Sequence, residues 1–159
     1  MTIQRVLVAV DDSPAALRAA RVATELAAGW RARLRLVAVT ADHALGALLD
    51  IAVPDGRADE RAEQAGRSLL EHAADAARDS GLEVDTVLLG GEPFRQILDQ
   101  ARTWPADLIV MGRSDRRGPS SPYIGSVTAH VLEFADCPVL VVPRTTTADP
   151  RAPEPEGAT

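Results

Sequence analysis

Residues 6–14 read Val6-Leu7-Val8-Ala9-Val10-Asp11-Asp12-Ser13-Pro14, and this stretch decides the fold. Val6 to Val10 is a short, valine-rich run, apolar at every position, which is how a strand reads when both faces of a parallel sheet bury it. Two aspartates stop the run. Ser13 and Pro14 then form a helix start, the serine able to cap exposed amides and the proline suited to the first helical position. Beyond them Ala19, Val22, Ala23 and Leu26 fall on one helical stripe that closes near Gly29. The unit is strand, tight turn, helix.

The unit repeats along the chain. Leu34 to Val39 reads as a second strand, followed by a looser segment with a turn cluster at Pro54, Asp55 and Gly56. A long helix is expected from Ala58 to Ser80, with Leu69, Leu70, Ala73 and Ala77 on one side and Gly81 as its stop. Leu82 to Leu88 reads as a third strand, and Phe94, Ile97, Leu98 and Ala101 mark the inner stripe of a third helix. Asp107 to Met111 is the fourth strand. A loop from Gly112 to Gly125 leads to a short helix expected to turn Val127, Val131 and Phe134 inward, and Pro138 to Val142 is the fifth strand. Such alternation builds right-handed βαβ crossovers, hence an α/β fold with a five-stranded parallel sheet and helices on both faces. Ligands of these sheets bind at the carboxyl ends of the strands, where strand order reverses. The folded domain is expected over residues 1–143. The tail, residues 144–159, is proline-rich and lacks apolar anchors, so it reads as disordered.

Composition narrows the chemistry. The chain has 159 residues, 46% hydrophobic, with 23 acidic against 17 basic side chains and a formal net charge of −6. That acidic balance argues against a general grip on nucleic acid or anionic lipid, both of which need clustered cations. All 17 basic residues are arginine, which excludes a Walker lysine, a Schiff base and a phosphorelay lysine. The five aromatic residues stand singly, so no base-stacking platform is expected. Cys137 is the single cysteine, and inert packing is its default. His43, His72 and His130 lie in separate elements without ligand spacing, and His130 reads as a surface or partly packed residue. No secretory h-region and no run long enough for a membrane span is seen, so a cytoplasmic protein with no membrane association is expected.

Two stretches could carry a ligand. At the end of the first strand, Asp11 can accept from a ribose hydroxyl or an adenine amino group, whereas Asp12 and Ser13 equally serve as helix caps. After the fourth strand, Gly112-Arg113-Ser114-Asp115-Arg116-Arg117-Gly118 opens a loop that closes at Gly125-Ser126. A glycine there lets a backbone approach closely, a helix opening at Gly125-Ser126 offers free amides to an anion, and Arg113, Arg116 and Arg117 add positive charge. The competing reading of this loop is a solvated surface segment.

Taken in order, three motifs resemble the universal stress protein family: the Val6 to Pro14 stretch, Gly91-Glu92-Pro93 after the third strand, and Cys137-Pro138-Val139-Leu140-Val141-Val142 at the last strand. The resemblance spans roughly residues 3–143. It implies a Rossmann-like sheet of strand order 3-2-1-4-5 and an adenine-nucleotide site. Asp11 would contact the adenosine end, the backbone around Val39 would border the base, and the loop from Gly112 to Ser126 would wrap the phosphates. The implied contact set is Ala9, Val10, Asp11, Ser13, Val39, Met111, Gly112, Arg113, Asp115, Arg116, Arg117, Gly118, Gly125, Ser126 and Val127. The implied ligand is ATP, AMP or another adenine nucleotide, with Mg2+ accompanying ATP. The resemblance also implies a homodimer through Val139 to Val142 and a role in stress response or signalling. One position departs from the family loop: Asp115 stands at its second glycine. An aspartate tolerates the left-handed backbone, but its carboxylate opposes phosphate oxygens unless an arginine pairs with it or it points to solvent.

Two other readings fail on the residues. A response-regulator receiver needs an acceptor aspartate after strand three and a lysine after strand five, and the chain has Leu88-Leu89-Gly90 and no lysine. A dinucleotide dehydrogenase needs GxGxxG where Val10-Asp11-Asp12-Ser13 stands. Two classes remain: a non-enzymatic adenine-nucleotide-binding module, and a nucleotide-free dimeric interaction protein of the same fold.

Overall fold

The computed structural model describes residues 2–40, 58–113 and 124–144. Over them the chain forms β1 (Arg5–Ala9), α1 (Pro14–Trp30), β2 (Arg33–Thr40), α2 (Ala58–Arg78), β3 (Val84–Gly90), α3 (Pro93–Thr103), β4 (Leu108–Gly112), α4 (Ser126–Phe134) and β5 (Val139–Val142). The strands make one five-stranded sheet of order β3-β2-β1-β4-β5. Every pairing is parallel, with Val8 opposite both Leu36 and Val110 at the centre.

Because side chains alternate across a strand, each apolar run divides between two cores. Val6, Val8, Leu34, Leu36 and Val110 point to the face covered by α1 and α2. Leu7, Val37, Ile109 and Met111 point to the face covered by α3 and α4, where they meet Ile97, Leu98, Trp104 and Val131. On α1 the buried stripe is alanine throughout (Ala15, Ala16, Ala19, Ala20, Ala23, Ala27), whereas Val22 and Leu26 are only half-buried against it. Side chains this small let the helix axis ride close to the sheet. The inner row of α2 is Leu70, Ala74 and Ala77, with Ala73 packed beside it; Leu69 is half-buried. The expected row was rotated slightly about the helix axis.

Helix ends follow local chemistry with one surprise. Gly81 takes φ 76° just beyond α2, as its place in the sequence requires. At the end of α1 the left-handed residue is not Gly29 but Arg31, at φ 56°, whose N–H closes onto the carbonyls of Ala27 and Ala28. On α4, Val131 is fully buried and Val127 packs on the core, but Phe134 is 49% exposed. It is the last residue of the helix, and the chain turns away at once through extended Ala135, so the stripe runs past the surface that could cover it.

Candidate functional site

β1 passes through α1 to β2 on one side of the sheet, and β4 passes through α4 to β5 on the other, so the strand order reverses between β1 and β4. A cleft of about 630 Å³ opens there at the carboxyl ends of the strands, a volume in the range of small-molecule sites, about 300–1,000 Å³. Its apolar floor is Ala9, Val37, Val39 and Met111; its two walls are the first turns of α1 and α4.

The first turn of α1 is capped by its own residues. The Asp11 Oδ1 accepts from the Ser13 N–H at 2.9 Å, and the Ser13 Oγ accepts from the Ala16 N–H at 3.1 Å. Pro14 has no N–H to offer. Ser13 therefore serves as the helix cap, and Asp11 holds the turn with one carboxylate oxygen while remaining exposed toward the cleft. The α4 wall is the opposite case. Its N-cap is Gly125 at φ 90°, which has no side chain to cap with, and Ala129 donates the first intrahelical bond, to the Gly125 carbonyl at 2.9 Å. The amides of Ser126, Val127 and Thr128 precede that ladder and carry the positive end of the helix dipole. The Thr128 hydroxyl, 4% exposed, donates to the Gly112 carbonyl at 3.2 Å and fixes this helix to the end of β4.

Gly112 joins the two walls. A Cβ built there would lie 2.6 Å from the Ala15 carbonyl carbon and 2.6 Å from the Ala16 nitrogen. The close approach that demands glycine is thus made by the backbone of α1.

Of the residues expected from sequence, Ala9, Val10, Asp11, Ser13, Val39, Met111, Gly112, Gly125, Ser126 and Val127 are brought together around this one cleft. Arg113 follows β4, its N–H donating to the Val142 carbonyl at 2.8 Å, and is not among the cleft-lining residues. Asp115, Arg116, Arg117 and Gly118 lie outside the described residues. Sequence reasoning missed Pro93 and Ile97 at the start of α3, Val37, Thr128 and Arg144, all of which line the cleft. Pro93 had a signal in the Gly91-Glu92-Pro93 motif; Arg144 had none, standing alone after a strand.

Among the described residues, His130 and Cys137 lie outside the cleft lining; His43 lies outside the described residues. The His130 ring stacks on Phe94 with centroids 4.7 Å apart, tying α3 to α4, and its Nδ1 is 2.7 Å from the Ser126 carbonyl oxygen one turn earlier in α4. Burial pushes the Cys137 thiol up, with the Asp107 and Asp136 carboxylates adding to the shift, so it stays protonated and unreactive at neutral pH. Among the described residues no group of three or more His, Cys, Asp or Glu side chains is placed to hold a metal ion, and no helix is long and apolar enough to cross a membrane.

With this geometry in view the comparisons with known proteins are decisive. The model of the universal stress protein family matches residues 2–143. The chain belongs to that family. This universal stress protein is 31% identical over 146 residues to the universal stress protein YxiE of Bacillus subtilis, covering 87% of this chain and 97% of that one. It is 37% identical over 142 residues to a universal stress protein of Thermus aquaticus, covering 86% and 96%. Among solved structures it is similar to the universal stress protein from Archaeoglobus fulgidus in complex with dAMP, at a TM-score of 0.66 and 27% identity over 89% of this chain and 99% of that one. It is also similar to a universal stress protein in complex with cAMP, at a TM-score of 0.67 and 25% identity over 91% and 100%.

Proposed function

We propose that this universal stress protein is an adenine-nucleotide-binding module, not an enzyme, and that ATP or AMP occupies the cleft between β1 and β4. The observation that carries the reading is the contrast between the two walls: Ser13 caps α1 with its own side chain, whereas the N-cap of α4 is Gly125, which makes no side-chain cap and stands beside an apolar floor. An adenine ring suits the floor of Ala9, Val37, Val39 and Met111. The free Asp11 oxygen faces the sugar or the base edge, and the amides of Ser126 to Thr128 meet the phosphates. The solved relatives that hold dAMP and cAMP support an adenine ligand. Any Mg2+ would enter on the oxygens of ATP itself.

Binding would serve a stress or signalling role by biasing association. β5 is an edge strand whose Val139, Leu140 and Val141 are half-buried, and an unpaired strand edge is a template for a second copy. The reading therefore includes a cytoplasmic homodimer formed through β5. Denaturing the purified protein and separating what is released by chromatography tests the ligand: an adenine nucleotide is expected. Absence of nucleotide, together with no thermal shift in excess ATP, would leave the nucleotide-free dimer as the function of this fold.

A further inference from the structure

The cleft has a polarity that the family motifs do not contain. Among its described lining residues the carboxylates, Asp11 and Asp12, stand at the β1 end, and the one cation is Arg144, beyond β5. The placement of Arg144 follows from the sheet. Val142 is paired with Gly112, and the Arg113 N–H donates to the Val142 carbonyl at 2.8 Å. Pro143 cannot extend that ladder because it lacks an N–H. The chain therefore leaves the sheet at its carboxyl edge, and Arg144 falls on the rim of the cleft, exposed to water. Gly125 and the first turn of α4 line the same cleft.

We infer that Arg144 is the specificity-determining cation of this site, selecting phosphorylated adenine ligands over the uncharged nucleoside. The inference rests on the adenine reading given above and adds to it the residue that reads charge. Amides at a helix end present partial charges, whereas a guanidinium presents a full charge and a fork of donors that matches phosphate oxygens. With carboxylates at one end of the cleft and this cation at the other, a ligand with a neutral hydroxyl-bearing end and an anionic end has one favoured orientation. An uncharged nucleoside gains nothing from Arg144. Screening by salt weakens the preference, because the side chain is exposed.

Calorimetric titration of ATP, AMP and adenosine into the wild-type protein and the Arg144→Gln and Arg144→Lys variants tests this, with melting curves confirming that each variant is folded. Arg144→Gln is expected to weaken ATP and AMP by on the order of tenfold, the worth of a charge-assisted contact, and to leave adenosine unchanged. Arg144→Lys should recover part of the loss, and raising the salt should shrink the difference between wild type and Arg144→Gln. Equal losses for all three ligands, or no loss for any, would overturn the assignment of Arg144 while leaving the adenine site standing. A wild-type protein that takes up none of the three refutes the adenine reading and Arg144's role with it.

Discussion

Gly112→Ala is expected to lower the melting temperature by roughly 6–12 °C, the equivalent of about 3 kcal/mol at about 2–4 °C per kcal/mol for a chain of this size. The added methyl would lie 2.6 Å from backbone atoms of Ala15 and Ala16, and backbone cannot rotate aside as a flexible side chain would. To relieve the clash, α1 must lift from the end of β4. That helix sits close to the sheet because its inner row is alanine from Ala15 to Ala27, so a lift also opens the core beneath it. The cleft is bounded by the same turn, and ATP binding should weaken alongside stability. Gly29→Ala is the control, since Gly29 lies inside a helix with nothing within 4 Å of the new methyl. It should stabilise by about 0.5–1 kcal/mol through helix propensity. Differential scanning calorimetry of the two variants reads both signs. A Gly112→Ala protein that melts within about 2 °C of wild type would mean that α1 does not pack against β4 as described.

The second large effect separates stability from binding. Ser126→Asp puts a carboxylate in the first turn of α4, beside the amides that precede the helical ladder. A negative charge at a helix N-terminus stabilises it by about 0.3–1 kcal/mol, so the melting temperature should rise slightly. The same charge stands where the phosphates are proposed to lie, and repulsion at such range exceeds 1 kcal/mol even at an effective dielectric constant of about 20. ATP affinity should fall at least about tenfold while adenosine affinity barely changes. Most damaging substitutions lower stability and binding together; here the two move in opposite directions. ATP affinity that survives Ser126→Asp would place the phosphates away from α4.

Much of this was readable from residues alone, and what was not has physical reasons. The sheet announced itself through short continuous apolar runs, because a strand buried on two faces has no polar positions to show. The α4 stripe of Val127 and Val131 was correct as periodicity, and Phe134 shared that periodicity yet emerged at 49% exposure; repetition along a helix does not tell where the covering layer stops. Gly112 was visible as a glycine needing a close approach, but the partner is the backbone of α1, and no local pattern names a partner distant in sequence. Ser13 presented two roles that composition cannot separate, and the 3.1 Å bond to the Ala16 N–H shows it as a cap. Arg144 lay hidden because a single residue after a strand has no period. Only the pairing of Val142 with Gly112 places it at the mouth of the cleft.

The departure at Asp115 bears on how tightly the site holds a phosphate chain. The residue lies outside the described segments, so its carboxylate enters through charge alone: one anion near the loop, set against Arg113, Arg116 and Arg117 in the sequence and Arg144 at the cleft. AMP would place its single phosphate at α4, whereas the outer phosphates of ATP would reach toward the loop. The loop from Gly112 to Gly125 carries three arginines against the single Asp115, so its net charge favours the outer phosphates of ATP, and Asp115 reduces that advantage without reversing it.

A crystal structure of the protein soaked with ATP tests the central claim most directly. The expected result has the adenine ring against Val37 and Val39, and phosphate oxygens within hydrogen-bond distance of the Ser126, Val127 and Thr128 amides. A nucleotide whose phosphates rest on the α1 turn instead, or a cleft that stays empty at millimolar ATP, would contradict it.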